Sequence, residues 1–235
     1  MRQREDFVFA RGGGAMSVLG ALLRKELRIE LRTLEAVPGM SLFAVTTFIV
    51  FHFGLDRPTV QGDLAAGVLV VTLLFAAMLG INRLWVADEE QGGFDAVLLA
   101  PIDRTSLFVA KALAMLVYLV VLEVVALPAF AFLLLEPPIR AELLLVLALA
   151  DFGIAVIGTL IGALAVKTRA RDLIGPLLAL PLLVPVVIAA AQASQPLLSS
   201  GRHGGAEAKY LLLLGLYDLV FALIAYAVFD PLLED

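Results

Sequence analysis

Four ionisable side chains lie inside long apolar runs of this 235-residue sequence: Lys111, Glu123, Asp151 and Asp218. In a membrane-spanning helix, each would cost about 2.5 to 3.5 kcal/mol or more at mid-depth if it were unpaired. Lys111 lies close to the end of its run, so its long side chain can extend towards the membrane surface. The three carboxyl groups lie deeper. They could form a proton relay or a substrate-contact site, or they could be protonated groups hydrogen-bonded to neighbouring helices.

The sequence offers few residues for metal or redox chemistry. It contains no cysteine and two histidines, which excludes disulfides, thiolate metal ligands and a multi-histidine metal centre within the sequence. His52, near the end of an apolar run, could be an axial haem ligand, but a single interfacial histidine more often anchors a helix. His203 lies in a glycine-rich stretch without a rigid frame, so we predict a ligand role for neither histidine.

The composition indicates an integral membrane protein, because 61% of the residues are hydrophobic, 17% are charged and the mean hydropathy is +0.99. Soluble domains average about 45 to 50% apolar and about 25% charged residues, so a soluble enzyme or a nucleic-acid-binding protein is excluded. The predicted fold class is an all-α polytopic membrane protein with six transmembrane helices, each long enough to cross about 30 Å of hydrocarbon. The six runs are 37–55, 64–82, 107–135, 141–166, 173–193 and 210–229.

Proline in two of these runs predicts departures from straight helices. In the run 107–135, Pro128 predicts either a strong tilt or a break near Leu127 that turns the end of the run back through the outer leaflet. In the run 173–193, three prolines predict a kink, which membrane helices tolerate when neighbouring groups satisfy the freed carbonyls.

Lysine and arginine are distributed unequally between the two sides of the predicted bundle. The N-terminal segment and the loops after the second and fourth spans carry twelve of them, against four in the other loops. The positive-inside rule therefore predicts that the N-terminus and the C-terminus are both cytoplasmic.

The segment before the first span divides into two parts. Residues 1–16 are predicted to be a leader, either a disordered tail or the result of a start assigned upstream of Met16. Residues 17–36 are predicted to form an amphipathic helix in the cytoplasmic interface, held there by lipid or by a partner. Its apolar stripe comprises Leu19, Leu23, Leu27, Leu31 and Leu34, and its basic stripe comprises Arg24, Lys25, Arg28 and Arg32.

The loop between the second and third spans carries the most specific pattern in the sequence. A glycine pair separates an acidic run from a short predicted helix, residues 94–99, which ends before Pro101. Phe94, Val97 and Leu98 would share one face of this helix. A solvated connector does not need three large apolar residues on one side, so we predict a docking element that another protein or the membrane surface covers.

This loop resembles the E-x-x-G-T-L-E-x-L-L-x-x-P element of type 2 ABC exporter permeases. The residues that carry the resemblance are Glu89, Gly92, Asp95, Leu98, Leu99 and Pro101, with the leucine pair one position later than in the element. Gly93 and Phe94 depart from the element without removing its turn or its apolar face. Together with the six-span layout, the basic N-terminal helix and the run LLALPLLVPVVIAAAQA, the sequence is similar over residues 17–235 to the cytochrome c maturation protein B (haem exporter protein B, CcmB) family.

The resemblance implies a non-catalytic permease subunit in the inner membrane of a bacterial cell, with residues 37–235 as its permease domain. A separate ATPase subunit would bind ATP and dock on the loop, and a haem-handling membrane protein would be a second partner. The coupling residues would be Glu89, Gly92, Phe94, Asp95, Leu98 and Pro101. The resemblance does not imply that this chain binds haem, because its single tryptophan, Trp85, provides no Trp-rich outer segment.

Two further patterns bear on partners. No G-x-x-x-x-G-K-[ST] motif occurs in the sequence, so ATP binding is expected in a partner chain. Gly158-x-x-x-Gly162 predicts a close helix–helix contact, either within the chain or between two copies in a homodimer.

Two other functions remain open. The first is a type 2 ABC permease that exports a lipid or a drug, which would share the loop element. The second is an ATP-independent, proton-coupled transporter built on Glu123, Asp151 and Asp218. The absence of a visible internal repeat in the sequence disfavours the second.

Overall fold

Seven α-helices and one 3₁₀ turn make up the described part of the chain, which contains one isolated β-bridge and no strand. The structure, a computed structural model, describes residues 15–55, 57, 59–90, 104–166, 171–200 and 205–232. The helices are α1 (Ala15–Thr33), α2 (Ala36–Gly54), α3 (Gly62–Glu90), α4 (Arg104–Leu133), α5 (Ala141–Val166), α6 (Arg171–Ser194) and α7 (Ala208–Leu232), with the 3₁₀ turn at Gln195–Leu198. Residues 1–14 of the predicted leader, most of the predicted docking loop and His203 lie outside these ranges.

Helices α2 to α7 are each long and apolar enough to cross a membrane, which confirms the prediction of six spans. Their ends agree with the predicted runs to within a few residues, apart from α3, which continues beyond its apolar run to Glu90. The predicted alternative of a break near Leu127 is wrong, because α4 continues through Pro128 to Leu133. A membrane helix tolerates this proline because neighbouring groups and small local adjustments satisfy the freed carbonyl.

Two helices lie at the centre of the bundle and two at its edge. Most of the spanning length of α3 and α5 is buried, whereas α2 and α7 are mostly exposed. On α7 the exposed residues Leu212, Leu216, Leu219 and Leu223 recur at helical spacing, as expected for a face that meets lipid. Lipid tails are as apolar as leucine, so the central helices must be held by close packing more than by water exclusion.

Glycines of α5 provide that close packing. A Cβ at Gly158 would overlap the side chain of Ile81, and one at Gly162 would overlap the ring of Trp85. Both partners lie on α3, so the Gly158-x-x-x-Gly162 pattern marks a contact within the chain. The small residues let α3 and α5 approach closely along the side of the bundle where α3 leads into the docking loop.

Helix α1 packs against the first turns of α4. Leu22 of α1 forms a small buried cluster with Leu107 and Ala110 of α4. The face of α1 turned to the bundle also contains Glu26 and Glu30, which are both buried, whereas Leu31 of the predicted leucine stripe is 75% exposed. Leu19, Leu23 and Leu27 of the stripe pack in part against the bundle, so only Leu31 and Leu34 face outward. The position of α1 in a membrane interface stays a prediction.

Candidate functional site

The predicted docking loop is framed by the end of α3 and the start of α4. Glu89 belongs to the last turn of α3, and α4 begins at Arg104. The other predicted coupling residues, Gly92, Phe94, Asp95, Leu98 and Pro101, lie outside the described residues. The described candidate site is consequently the set of contacts that hold the two flanking helices together at the base of this loop.

Lys111 lies at the centre of those contacts. Its side chain is fully buried, with 0% of its surface exposed. The ammonium nitrogen Nζ lies 3.1 Å from the carbonyl oxygen of Leu84 and 3.4 Å from Oε2 of Glu26. It also lies 4.6 Å from the centroid of the Trp85 ring, a cation–π arrangement. Lys111 does not extend to the protein surface, because its ammonium group is turned towards α1 and α3, and its position relative to the membrane surface stays a prediction.

Glu26 brings α1 into the same cluster. It is 3% exposed, and its Oε1 atom also lies 3.3 Å from Nζ of the partly buried Lys25. The Tyr118 hydroxyl of α4 donates a hydrogen bond of 3.4 Å to the backbone carbonyl oxygen of Glu26. We call Glu26, Trp85, Lys111 and Tyr118 the Lys111 cluster. Its members come from α1, α3 and α4, which are the N-terminal helix and both helices that flank the docking loop.

Glu26 and Glu30 are functional candidates that were not predicted from the sequence. Both acids are buried on the bundle side of α1, where the helical pattern was interpreted as a leucine stripe and an arginine stripe. The available signal was their spacing: two acids four residues apart share a helix face, in a segment that is otherwise basic.

Glu30 fixes the corner between α1 and α2. Its Oε1 accepts a hydrogen bond of 2.8 Å from the backbone N–H of Val37, and its Oε2 accepts one of 3.2 Å from that of Ala36. A carboxylate at this place satisfies free N–H groups at the start of α2 and interacts favourably with the helix dipole. Leu34 completes the corner with a positive φ of 50°.

Replacing Glu30 with alanine is expected to lower the free energy of unfolding by about 1 to 2 kcal/mol, because the first turn of α2 loses its cap. The change should appear as a lower apparent Tm of the detergent-purified protein in a fluorescence-monitored melt. Glu30→Gln is the matched control, since it keeps one accepting oxygen and should lose less. An unchanged Tm for Glu30→Ala would show that the cap contributes nothing to stability.

The deep carboxyl groups are arranged as one pair and one separate residue. Glu123 of α4 and Asp151 of α5 lie near each other, close enough for their carboxyl groups to interact. Asp218 of α7 lies instead against the backbone of Gly153, where a Cβ would overlap its carboxyl group. The hypotheses of a proton relay, of a substrate-contact site and of protonated groups hydrogen-bonded between helices all stay predictions.

His52 joins the end of α2 to the end of α4. Its Nδ1 atom lies 2.6 Å from the carbonyl oxygen of Leu133, and its ring packs edge-on against Phe53. This carbonyl lies at the end of α4, where it has no partner within the helix. Within the described ranges, no group of three histidine, aspartate or glutamate side chains is arranged to hold a metal ion. The geometry of His52 is that of a helix anchor.

Known proteins resemble this chain over most of its length. A protein-family model described as CcmB protein matches residues 17–232. A protein named heme exporter protein B from Rhodobacter capsulatus is 33% identical over 211 residues, which cover 88% of this chain and 94% of the relative. Proteins with the same name from Bradyrhizobium diazoefficiens and Pseudomonas aeruginosa are 29% and 31% identical, over 90% and 80% of this chain and 96% and 86% of the relatives.

Proposed function

The chain belongs to the CcmB protein family, and from this membership we propose that it is the membrane permease subunit of an ABC-type complex for cytochrome c maturation. The complex exports haem or releases a haem-loaded chaperone. The observation that carries the proposal is the match to proteins named heme exporter protein B over nearly their whole length. The six long apolar helices agree with a multi-pass membrane subunit.

In this proposal the chain performs no chemistry itself. ATP binds in a separate ATPase subunit, because the sequence of this chain contains no phosphate-binding loop. The ATPase docks on residues 89–101, using the apolar face formed by Phe94, Val97 and Leu98. Haem is the cargo of the complex and is bound by a second membrane protein. The distribution of lysine and arginine supports an orientation with both termini in the cytoplasm, on the same side as the ATPase.

The proposed mechanism is a rigid-body movement. ATP binding and hydrolysis displace the docking loop, and the displacement passes directly into the end of α3 and the start of α4. Because α3 is held closely against α5 by Gly158 and Gly162, movement of α3 changes the packing of the central helices. The packing against the haem-handling partner then shifts between two arrangements, which drives release of the cargo.

Affinity purification of the tagged protein from its native membrane in mild detergent tests the proposal. Mass spectrometry should identify an ABC ATPase and a second membrane protein in the eluate, and an absorption scan should show haem in the complex. The subunit stoichiometry measured on the same sample determines whether two copies of this chain are present. Membranes of the untagged strain, treated identically, are the control.

Two other results of this purification would point to the alternatives. An ATPase without a haem-bearing partner would favour a general exporter of a lipid or a drug. A protein that purifies without any ATPase would contradict the proposal and favour a proton-coupled transporter.

A further inference from the structure

We propose that Lys111 is a positioning residue that joins α1 to both helices flanking the docking loop, so that the three move as one body when the loop is displaced. This inference rests on the proposed coupling of the loop to an ATPase. It adds a role for the N-terminal helix α1, which would move with the docking loop because the Lys111–Glu26 ion pair connects it to α4.

The side chain of Lys111 reaches two neighbouring helices. Lys111 belongs to α4, and its ammonium group contacts Glu26 of α1 and the Leu84 carbonyl of α3. The Trp85 ring of α3 lies beside it. Leu84 and Trp85 precede the end of α3 by two turns or less, and Lys111 lies two turns into α4. The contacts are therefore close to both ends of the loop.

The ion pair between Lys111 and Glu26 is buried. Lys111 is 0% exposed and Glu26 is 3% exposed. If α1 moved away from α4, Lys111 would stay in an apolar environment without its carboxylate partner, and breaking a buried pair in this way is strongly unfavourable. The exposed ion pair between Lys209 and Glu207 carries no such penalty, because water replaces the lost partner. Because the ion pair is buried, Lys111 restrains α1 against α4.

The Lys111 cluster is continuous with the centre of the bundle. Trp85 contacts Lys111 on one side and occupies the space opposite Gly162 of α5 on the other. Tyr118 adds a second link from α4 to the backbone of α1. The Lys111 cluster therefore connects the N-terminal helix, the two helices at the loop and the central helix α5 through contiguous side chains, which is a physical route for coupling.

The first experiment measures the connection itself, without the ATPase. The chain has no cysteine, so single cysteines at the exposed positions Arg28 of α1 and Asn82 of α3 can be spin-labelled in the full-length protein. We expect a narrow α1–α3 distance distribution in the parent protein and a broader or longer one in Lys111→Met. Lys209→Met, which removes an exposed and ion-paired lysine at the other end of the bundle, should leave the distribution unchanged.

The second experiment measures coupling in the assembled complex. Lys111→Met should retain the co-purifying ATPase but lower the yield of mature cytochrome c by about two- to thirtyfold, the range seen for residues that carry coupling. Glu26→Gln, which removes the carboxylate of the pair and keeps its size, should broaden the distance and lower the yield in the same way. This second variant keeps the test valid if Lys111→Met fails to fold. A purely structural role for the lysine would lower the amount of assembled complex and leave the yield per complex unchanged.

The two experiments separate the possible failures. An unchanged distance distribution in Lys111→Met, or a wild-type yield per complex, overturns the positioning role. An unchanged distance distribution in Glu26→Gln overturns it as well. If the parent protein purifies without an ATPase, the proposed function fails and the coupling role fails with it. Loss of the ATPase can be distinguished from the other outcomes, because the α1–α3 distance is measured on the isolated protein and does not depend on the ATPase.

Discussion

Replacing Phe94 and Leu98 with aspartate is expected to remove the partner ATPase from the purified protein while leaving the protein inserted in the membrane. Each large apolar side chain contributes about 1.5 to 3 kcal/mol when it is buried in an interface, so loss of both weakens binding by roughly two to four orders of magnitude. The measurement is the ratio of ATPase to permease after affinity purification, with membrane insertion checked by the amount of permease extracted.

The loop also contains a matched control for this variant. Ala96 would lie on the face of the predicted helix opposite Phe94 and Leu98, and Ala100 directly follows the helix. Their replacement with aspartate adds the same charge to the same segment and should keep the ATPase bound. If the Phe94 and Leu98 variant still co-purifies with its ATPase at the parental ratio, the docking hypothesis is wrong.

The spans could be predicted from the sequence because they depend on length and apolar character alone. A run such as 141–166 is long enough to cross a bilayer, and the structure gives it the same limits in α5. The family could also be predicted from the loop and the proline-containing run, and the family match confirms it. The role of the loop itself stays a prediction, because residues 91–103 lie outside the described part of the chain.

The contacts within the bundle could not be predicted, for a physical reason. Protein interior and lipid are both apolar, so a spanning helix carries little sequence signal for which of its faces is buried. Lys111 and Glu26 are 85 residues apart, and no local pattern connects them. The same limit applies to Glu123 and Asp151, because their proximity depends on how α4 and α5 are rotated.

The second large effect is expected on stability, at the close contact between α3 and α5. Replacing both Gly158 and Gly162 with alanine is expected to lower the free energy of unfolding by about 2 to 6 kcal/mol, because each new methyl group overpacks a filled contact. Ile81 and Trp85 occupy the space that the two methyl groups need. The change should appear as a large fall in the apparent Tm of the detergent-purified protein.

Other glycines of the spanning helices provide the control for this experiment. A Cβ at Gly67 of α3 or at Gly215 of α7 would have nothing within 4 Å. Alanine at both positions should hold or raise the Tm, since glycine in a helix interior is less favourable than alanine by about 1 kcal/mol. The opposite signs expected for the two double variants separate packing from helix propensity.

A compensating substitution shows which contact is responsible. Ile81→Ala removes the atoms that a Cβ at Gly158 would overlap. Combined with Gly158→Ala, it should therefore recover part of the stability that Gly158→Ala loses alone. If Gly158→Ala has the parental Tm, or if Ile81→Ala destabilises it further by its full independent amount, the two residues are not in contact and the close packing of α3 on α5 is wrong. Non-additivity of the two changes is the signature of a shared contact, because distant and independent substitutions add.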